Sequence, residues 1–142
     1  MLLPVTTATA SVLGIFFVLL SIAVSGERYR AKVGLGVGND TSAAFGQEHT
    51  ASRLLIAVRR HGHFAEFVPL SLILMLLLEL GGTARTTMIS LAAALIVSRL
   101  MIIAGIGRAA PNLLRAGGNL LQQLMIVTAC IVGLIAAYKD LA

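Results

Sequence analysis

Three residues with the chemistry of a polar binding site recur at helical spacing near the middle of the chain: Arg59, His63 and Glu66. At about 100° per residue, His63 lies about 40° to one side of Arg59 and Glu66 about 20° to the other, so all three share one narrow face. A guanidinium binds carboxylates, a carboxylate binds ammonium groups, and a neutral imidazole both donates and accepts. The pattern therefore predicts a polar site on one side of a helix.

This polar face also allows a purely structural interpretation. Arg59 and Arg60 can extend toward lipid phosphates while Glu66 pairs with a neighbouring arginine. Ionisable groups inside a membrane are costly and usually serve a function, so we prefer the functional interpretation. Arg99 lies about 12 Å inside its own helix, at a depth comparable to that of Glu66. We therefore predict that Arg99 faces Glu66 across an interior cavity.

Other polar residues leave their roles more open. Asn119 and Gln122 lie three residues apart on one face of the last helix, where they can line a site or join helices by hydrogen bonds. His61 lies about 160° from His63, so the two histidines cannot hold one metal ion from a regular helix. A site built on His63 and Glu66 would need ligands from the first loop, His49 or Glu48, and we expect no metal.

The elements that must position these residues are membrane-spanning helices. Hydrophobic residues make up 58% of the 142 residues and charged residues only 12%, and the mean hydropathy is +0.94. About 20 apolar residues span a bilayer. The stretches that qualify are residues about 5–25, 54–80, 86–107 and 118–138. We predict one all-α domain, residues 1–142, that forms an integral membrane four-helix bundle. The first stretch lacks a preceding basic segment, so we expect a retained helix and not a signal peptide.

The net charge of +5 and the pI near 10.4 reflect membrane topology, and we expect no nucleic-acid partner. Basic residues concentrate in the first and third loops and at the start of the second helix, whereas the opposite side has only Arg85 and Lys139. The positive-inside rule places loops 26–53 and 108–117 in the cytoplasm and both termini outside a cell membrane. In the first loop, Gly34, Gly36 and Gly38 lack the rest of a dinucleotide fingerprint and follow no predicted strand, so they indicate a flexible connection.

The run Arg59-x-x-x-His63-x-x-Glu66-x-x-Pro69 resembles the second-helix signature of the MAPEG family, the membrane-associated proteins in eicosanoid and glutathione metabolism. The surrounding string RRHGHFAEFVPLSLILMLLLEL is similar to that of its bacterial branch. The four-helix layout, the glycine-rich first loop, Arg99 with Gly105, and Arg115 before the fourth helix also match. The resemblance covers nearly the whole chain.

The resemblance implies a homotrimer with glutathione sites between protomers, open to the cytoplasm. Arg59 would bind a carboxylate of glutathione, Glu66 its ammonium group and His63 its peptide backbone. Further residues implied to bind glutathione are Phe67, Arg99, Arg28 and Arg30. Arg115 is the candidate that stabilises the glutathione thiolate, with Arg108 second, because a nearby arginine lowers the pKa of a thiol.

The resemblance implies a membrane-embedded, glutathione-dependent transferase or peroxidase acting on small hydrophobic electrophiles or lipid hydroperoxides, with glutathione as co-substrate. This chain has His63 where the family usually has asparagine, and Phe67 where several relatives have tyrosine. It has Ile102 and Ile106 where the leukotriene-synthesising members have tyrosines that contact glutathione. Because those positions lack the hydroxyl groups, a non-catalytic membrane binding or structural protein with the same fold is the alternative.

Overall fold

Four long helices make up the molecule. The computed structural model describes residues 3–32, 48–109 and 111–141, with no strand among them. Helix α1 runs Pro4–Ala31, α2 Glu48–Leu80, α3 Arg85–Gly105 and α4 Leu113–Leu141. The predicted all-α four-helix architecture is confirmed. The glycine-rich segment 34–38 lies outside the described residues.

All four helices are long and apolar enough to cross a bilayer. The candidate spans are Pro4–Ala31, Arg53–Leu80, Arg85–Gly105 and Leu113–Lys139. Large apolar side chains such as Ile15, Leu77 and Leu134 are exposed on the outside of the bundle. A surface of this kind is stable against lipid and not against water. The chain is therefore a multi-pass membrane protein.

Three helices extend beyond the apolar stretches that predicted them. Helix α1 continues to Ala31, α2 begins at Glu48, and α4 begins at Leu113. The prediction counted apolar residues, but a helix satisfies its own backbone hydrogen bonds and continues through polar sequence where it leaves the bilayer. Lys32 caps the C-terminal end of α1 in a left-handed conformation (φ 54°), and its N–H donates to the carbonyls of Arg28 and Tyr29.

Helices α3 and α4 approach each other closely because two glycines stand at their contact. A Cβ on Gly105 would lie 2.7 Å from the backbone nitrogen of Arg115, and one on Gly118 would lie 2.8 Å from the side chain of Ile102. Real side chains do not tolerate such distances, so only glycine permits this packing. The contact fixes the start of α4 against the end of α3.

A buried polar network joins α2, α3 and α4. The side-chain amide of Gln122 donates to the hydroxyl of Ser71 (2.8 Å), and its carbonyl oxygen accepts from the hydroxyl of Ser98 (2.9 Å). All three side chains are at most 1% exposed. Interhelical hydrogen bonds of this kind fix the position of one helix relative to another in a membrane, where apolar packing alone specifies that position poorly.

Helix α1 is fastened to α2 at the other end of the bundle. The carboxylate of Glu79 accepts the backbone N–H of Val5 (2.9 Å) and of Thr6 (2.8 Å). The first N–H groups of a helix have no partner within the helix, so this carboxylate satisfies two of them and opposes the positive end of the helix dipole.

Candidate functional site

A cleft of about 600 Å³ lies at the end of the bundle where α2 begins, α3 ends and α4 begins. Its lining residues are Val58, Arg59, Gly62, His63, Glu66, Ile106 and Arg115. Four of the predicted site residues, Arg59, His63, Glu66 and Arg115, are therefore brought together on its walls.

The cleft carries a polar wall formed by one face of α2. Arg59, His63 and Glu66 lie on it, as their helical spacing predicts, with Arg59 and Glu66 exposed and His63 half-buried. Gly62 stands between them, and no atom lies within 4 Å of the position that a Cβ would occupy there. Because Gly62 has no side chain, the cleft stays open between the charged groups.

Arg115 reaches the cleft from the first turn of α4, and Asn112 determines where that turn begins. The Asn112 side-chain oxygen accepts the backbone N–H of Leu114 (3.0 Å) and Arg115 (3.4 Å), as an N-cap residue does. Its side-chain nitrogen donates to the carbonyl of Gly105 (2.8 Å), the last residue of α3. Asn112 therefore ties Arg115 to the end of α3 and holds it opposite the polar face of α2.

The remaining walls are apolar, from Val58 and Ile106. Ile106 follows the end of α3, and its carbonyl oxygen accepts a hydrogen bond from the guanidinium of Arg60 (2.7 Å). This contact holds the end of α3 against α2. Of the two isoleucines at positions where the resemblance implies tyrosines, Ile106 lines the cleft, whereas Ile102 is buried in the core at 2% exposed.

The structure does not support the prediction that Arg99 faces Glu66. Arg99 is 1% exposed and lies behind His63: its Nη1 is 3.2 Å from Nδ1 of His63 and 3.4 Å from the His63 carbonyl oxygen. No ion pair joins Arg99 to Glu66, and Arg99 does not line the cleft. The prediction was based on depth along the helix, and depth does not determine which neighbouring group the side chain contacts.

Phe67 also lies behind the cleft wall and not on it. Its ring stacks on that of His63, with 4.8 Å between the ring centroids, and the Cζ atom of Arg99 lies 5.8 Å from the Phe67 centroid. His63 and Phe67 are one helical turn apart, which places their side chains in contact. Phe67 thus supports His63 and Arg99, and its own role toward a ligand stays a prediction.

The other predicted arginines lie outside the cleft of their own chain. Arg28 and Arg30 belong to the last turns of α1 and not to a loop, and Arg30 pairs with Glu27 at 2.8 Å. The prediction treated the loop as beginning after Gly26, but the helix continues through these polar residues. Arg108 is exposed just beyond α3 and does not line the cleft.

Gln122 and His61 make contacts between helices and do not line the cleft. Gln122 is held in the network with Ser71 and Ser98, so of its two predicted roles the interhelical one is observed. Asn119 is partly buried, and its role stays a prediction. The ring of His61 packs against that of Phe17, with 4.7 Å between centroids, on the side of α2 that faces α1.

No group of three or more histidine, cysteine, aspartate or glutamate side chains close enough to hold a metal ion occurs in the described part of the chain. The side chains of Glu48 and His49, which a metal site would need, lie outside it.

Sequence reasoning missed several groups that shape the site. Asn112 positions the cleft, and the apolar Val58 and the open Gly62 line it. Gly105 and Arg60 were named in the sequence for other reasons, and their contacts with the end of α3 and the start of α4 were not expected. Asn112 has a detectable signal, because asparagine is a preferred N-cap and precedes an apolar run. The contact between Arg60 and Ile106 depends on the packing of α2 against α3, which local sequence does not specify.

Comparison with known proteins gives one informative result. The sequence model of the MAPEG family matches residues 6–135 of the chain. This match covers nearly the whole chain and includes every residue that lines the cleft. No curated protein and no solved structure shows a significant match to the chain.

Proposed function

This chain belongs to the MAPEG family, and we propose that it is a membrane-embedded, glutathione-dependent transferase or peroxidase. Its hydrophobic substrates would be electrophiles or lipid hydroperoxides that arrive from the bilayer, and glutathione would be the co-substrate. The observation that carries the proposal is the cleft in which Arg59, His63, Glu66 and Arg115 meet.

The charges of the cleft complement those of glutathione, an anionic tripeptide with two carboxylates and one ammonium group. Arg59 is suited to bind a carboxylate, through two hydrogen bonds where the geometry allows. Glu66 is suited to the ammonium group, and His63 lies between them, within reach of the peptide backbone. The volume of about 600 Å³ is in the range of pockets for ligands of this size.

Arg115 is the group proposed to activate the thiol. A free thiol has a pKa near 8.5 and is mostly protonated at neutral pH, whereas a nearby guanidinium favours the thiolate by electrostatic attraction. Lowering the pKa by about two units corresponds to about 2.7 kcal/mol of preferential stabilisation of the thiolate. Arg115 is exposed in the cleft and anchored by Asn112 and Gly105, so its charge is available to a ligand.

Two reactions are open to such a thiolate. In a transferase reaction its sulfur forms a bond to an electrophilic carbon, and the thiol proton goes to the leaving group or to the adduct. In a peroxidase reaction the thiolate attacks the terminal oxygen of a hydroperoxide and the alcohol leaves. A second glutathione then displaces water, so two glutathiones yield one disulfide, one alcohol and one water. Val58 and Ile106 provide an apolar wall beside the polar one, suited to a hydrophobic second substrate.

We further propose a homotrimer with its sites between protomers, as expected of the family. Arg28 and Arg30 lie in the last turns of α1 and do not line the cleft of their own chain. In an assembly of that kind they would approach the cleft of a neighbouring copy, where they would add positive charge for an anionic ligand.

A non-catalytic binding protein with the same fold is the second candidate. One observation favours it: Ile106 on the cleft wall and Phe67 behind it carry no hydroxyl group where several relatives have tyrosines. Fewer hydroxyl groups leave fewer hydrogen bonds for a polar ligand.

Difference spectroscopy on the purified protein in detergent separates the two candidates. Glutathione is titrated into the protein and the ultraviolet absorbance of the thiolate is followed at neutral pH. We expect saturable thiolate formation in the wild type and in Lys139→Ala, which changes an exposed cation at the other end of the bundle, and little in Arg115→Ala. Saturable binding without thiolate would favour the non-catalytic candidate, and no binding at all would refute the glutathione proposal.

A further inference from the structure

We infer that Arg99 is a positioning residue that holds His63 in one tautomer, so that His63 presents a hydrogen-bond donor, and no acceptor, to the cleft. The consequence for ligand binding rests on the proposed function. The tautomer itself does not, because it follows from contacts within the chain.

The direction of the hydrogen bond between Arg99 and His63 determines which ring nitrogen of His63 carries the proton. Nη1 of Arg99 lies 3.2 Å from Nδ1 of His63. A guanidinium has five N–H donors and no acceptor, and it stays protonated in proteins. Nδ1 must therefore accept, and in a neutral ring the proton is then on Nε2.

Burial makes this arrangement hard to exchange for another. Arg99 is 1% exposed, and its Nε and Nη2 have no hydrogen-bond partner within the described ranges 3–32, 48–109 and 111–141. Its acceptors are Nδ1 and the carbonyl oxygen of His63. A proton on Nδ1 would remove one of these two acceptors from a buried charge, and a buried donor without a partner costs about 1–3 kcal/mol, more when it is charged.

Phe67 fixes the plane of the imidazole without competing for the proton. Its ring stacks on His63 and also lies beside the Arg99 guanidinium. A phenylalanine offers neither donor nor acceptor, so it cannot replace either partner in the contact.

A single tautomer of His63 limits which ligand atoms the cleft can bind at this position. Because Nδ1 is engaged by Arg99, a ligand that contacts the ring must offer an acceptor to Nε2–H, such as a peptide carbonyl or a carboxylate oxygen. An asparagine here, as is usual in the family, presents either a donor or an acceptor. His63 together with Arg99 therefore selects for an acceptor where asparagine accepts both kinds of ligand atom.

Nitrogen NMR on the detergent-solubilised protein with ¹⁵N-labelled histidine tests the inference directly. The chain has three histidines, and the His63 signals are identified by their loss in His63→Asn. In the wild type we expect a pyridine-type shift for Nδ1 and a pyrrole-type shift for Nε2. A pyrrole-type Nδ1, or a mixture of tautomers, would overturn the inference from the wild-type spectrum alone.

Variants of Arg99 provide the second arm. Arg99→Leu removes the donor and should give a mixture of tautomers. Arg85→Leu is the control, since Arg85 is an exposed arginine at the start of the same helix α3 and does not line the cleft, and it should leave the His63 signals unchanged. Unchanged His63 signals in Arg99→Leu would contradict the positioning role.

Glutathione binding separates this inference from the proposed function. If both hold, the dissociation constant for glutathione rises about three- to tenfold in Arg99→Leu, the equivalent of one hydrogen bond. A single tautomer in a wild type that does not bind glutathione would support the positioning role and refute the glutathione proposal. A wild type that binds glutathione but has mixed His63 tautomers would support the glutathione proposal and refute the positioning role.

Discussion

The guanidinium of Arg99 and the imidazole of His63 meet at 3.2 Å directly behind the cleft wall. This contact joins a fully buried charge on α3 to the polar face of α2, so His63 belongs to both the core and the cleft. Because Arg99 is directed at His63, Glu66 keeps its exposed position on the cleft wall. The site thus separates a buried layer that orients side chains from an exposed layer that carries charge for a ligand.

Replacing Arg115 by alanine should reduce thiolate formation without unfolding the protein, since Arg115 is exposed. If its charge lowers the thiol pKa from about 8.5 by one to two units, the thiolate fraction at pH 7 should fall about 8- to 25-fold in the variant. The measurement is thiolate absorbance at saturating glutathione, together with kcat/KM for a model electrophile. Arg108→Ala tests the second candidate and should change either quantity less than about threefold, since Arg108 does not line the cleft. A larger loss in Arg108→Ala than in Arg115→Ala would reverse the assignment.

Glu66→Gln should weaken glutathione binding about 10- to 100-fold, because a charge-assisted hydrogen bond contributes about 1.5–3 kcal/mol. Calorimetric titration of the purified protein measures the effect. N-acetylglutathione, which has no ammonium group, is the matched probe: wild type and Glu66→Gln should bind it with similar affinity. If the variant loses the same factor toward both ligands, Glu66 does not bind the ammonium group.

The polar face of the cleft was predictable because it depends only on helical periodicity. Arg59, His63 and Glu66 lie within one helix, and their spacing alone places them on one side. The membrane-spanning stretches were predictable for a similar reason, since bilayer thickness sets their length.

Contacts between helices were not predictable in the same way. The partner of Arg99 depends on the rotation of α3 relative to α2, and the Glu79 cap depends on which helix lies beside the start of α1. The spacing of residues along one helix predicts neither of these two contacts. The same holds for Arg28 and Arg30, whose predicted place in the loop was wrong because the first helix extends beyond its apolar stretch.

Gly105→Ala should destabilise the bundle by about 1–3 kcal/mol, the usual cost of overpacking. A Cβ there would lie 2.7 Å from the backbone nitrogen of Arg115, so either α4 shifts or the helix end distorts. Thermal unfolding in detergent measures the loss. Gly14→Ala is the control, since no atom lies within 4 Å of its Cβ position, and it should be neutral or slightly stabilising. Equal stability of both variants would argue against the close contact between α3 and α4.

Glu79→Ala should cost about 1 kcal/mol of unfolding free energy, since two N–H groups of α1 lose their acceptor. Glutathione affinity should not change, because Glu79 lies at the end of the bundle away from the cleft. Chemical unfolding in mixed micelles and a binding titration measure the two quantities. Glu27→Ala removes a carboxylate from a surface pair with Arg30 and should cost less than about 0.5 kcal/mol. A Glu79 variant as stable as the Glu27 variant would mean that the cap contributes nothing measurable.

The Arg99–His63 contact should appear as a coupling in a double-mutant cycle. His63→Leu removes a main acceptor of a buried charge, and losing a hydrogen bond from a charged donor costs about 1.5–3 kcal/mol. Arg99→Leu in the same chain removes the stranded charge, so the double variant should recover much of that loss, with a coupling above about 1 kcal/mol. His61→Leu combined with Arg99→Leu is the control, because His61 packs against Phe17 on the other side of α2. If the destabilisations of His63→Leu and Arg99→Leu simply add in the double variant, the contact between the two side chains contributes nothing measurable to stability. Their coupling would show that His63 is required for Arg99 to be buried.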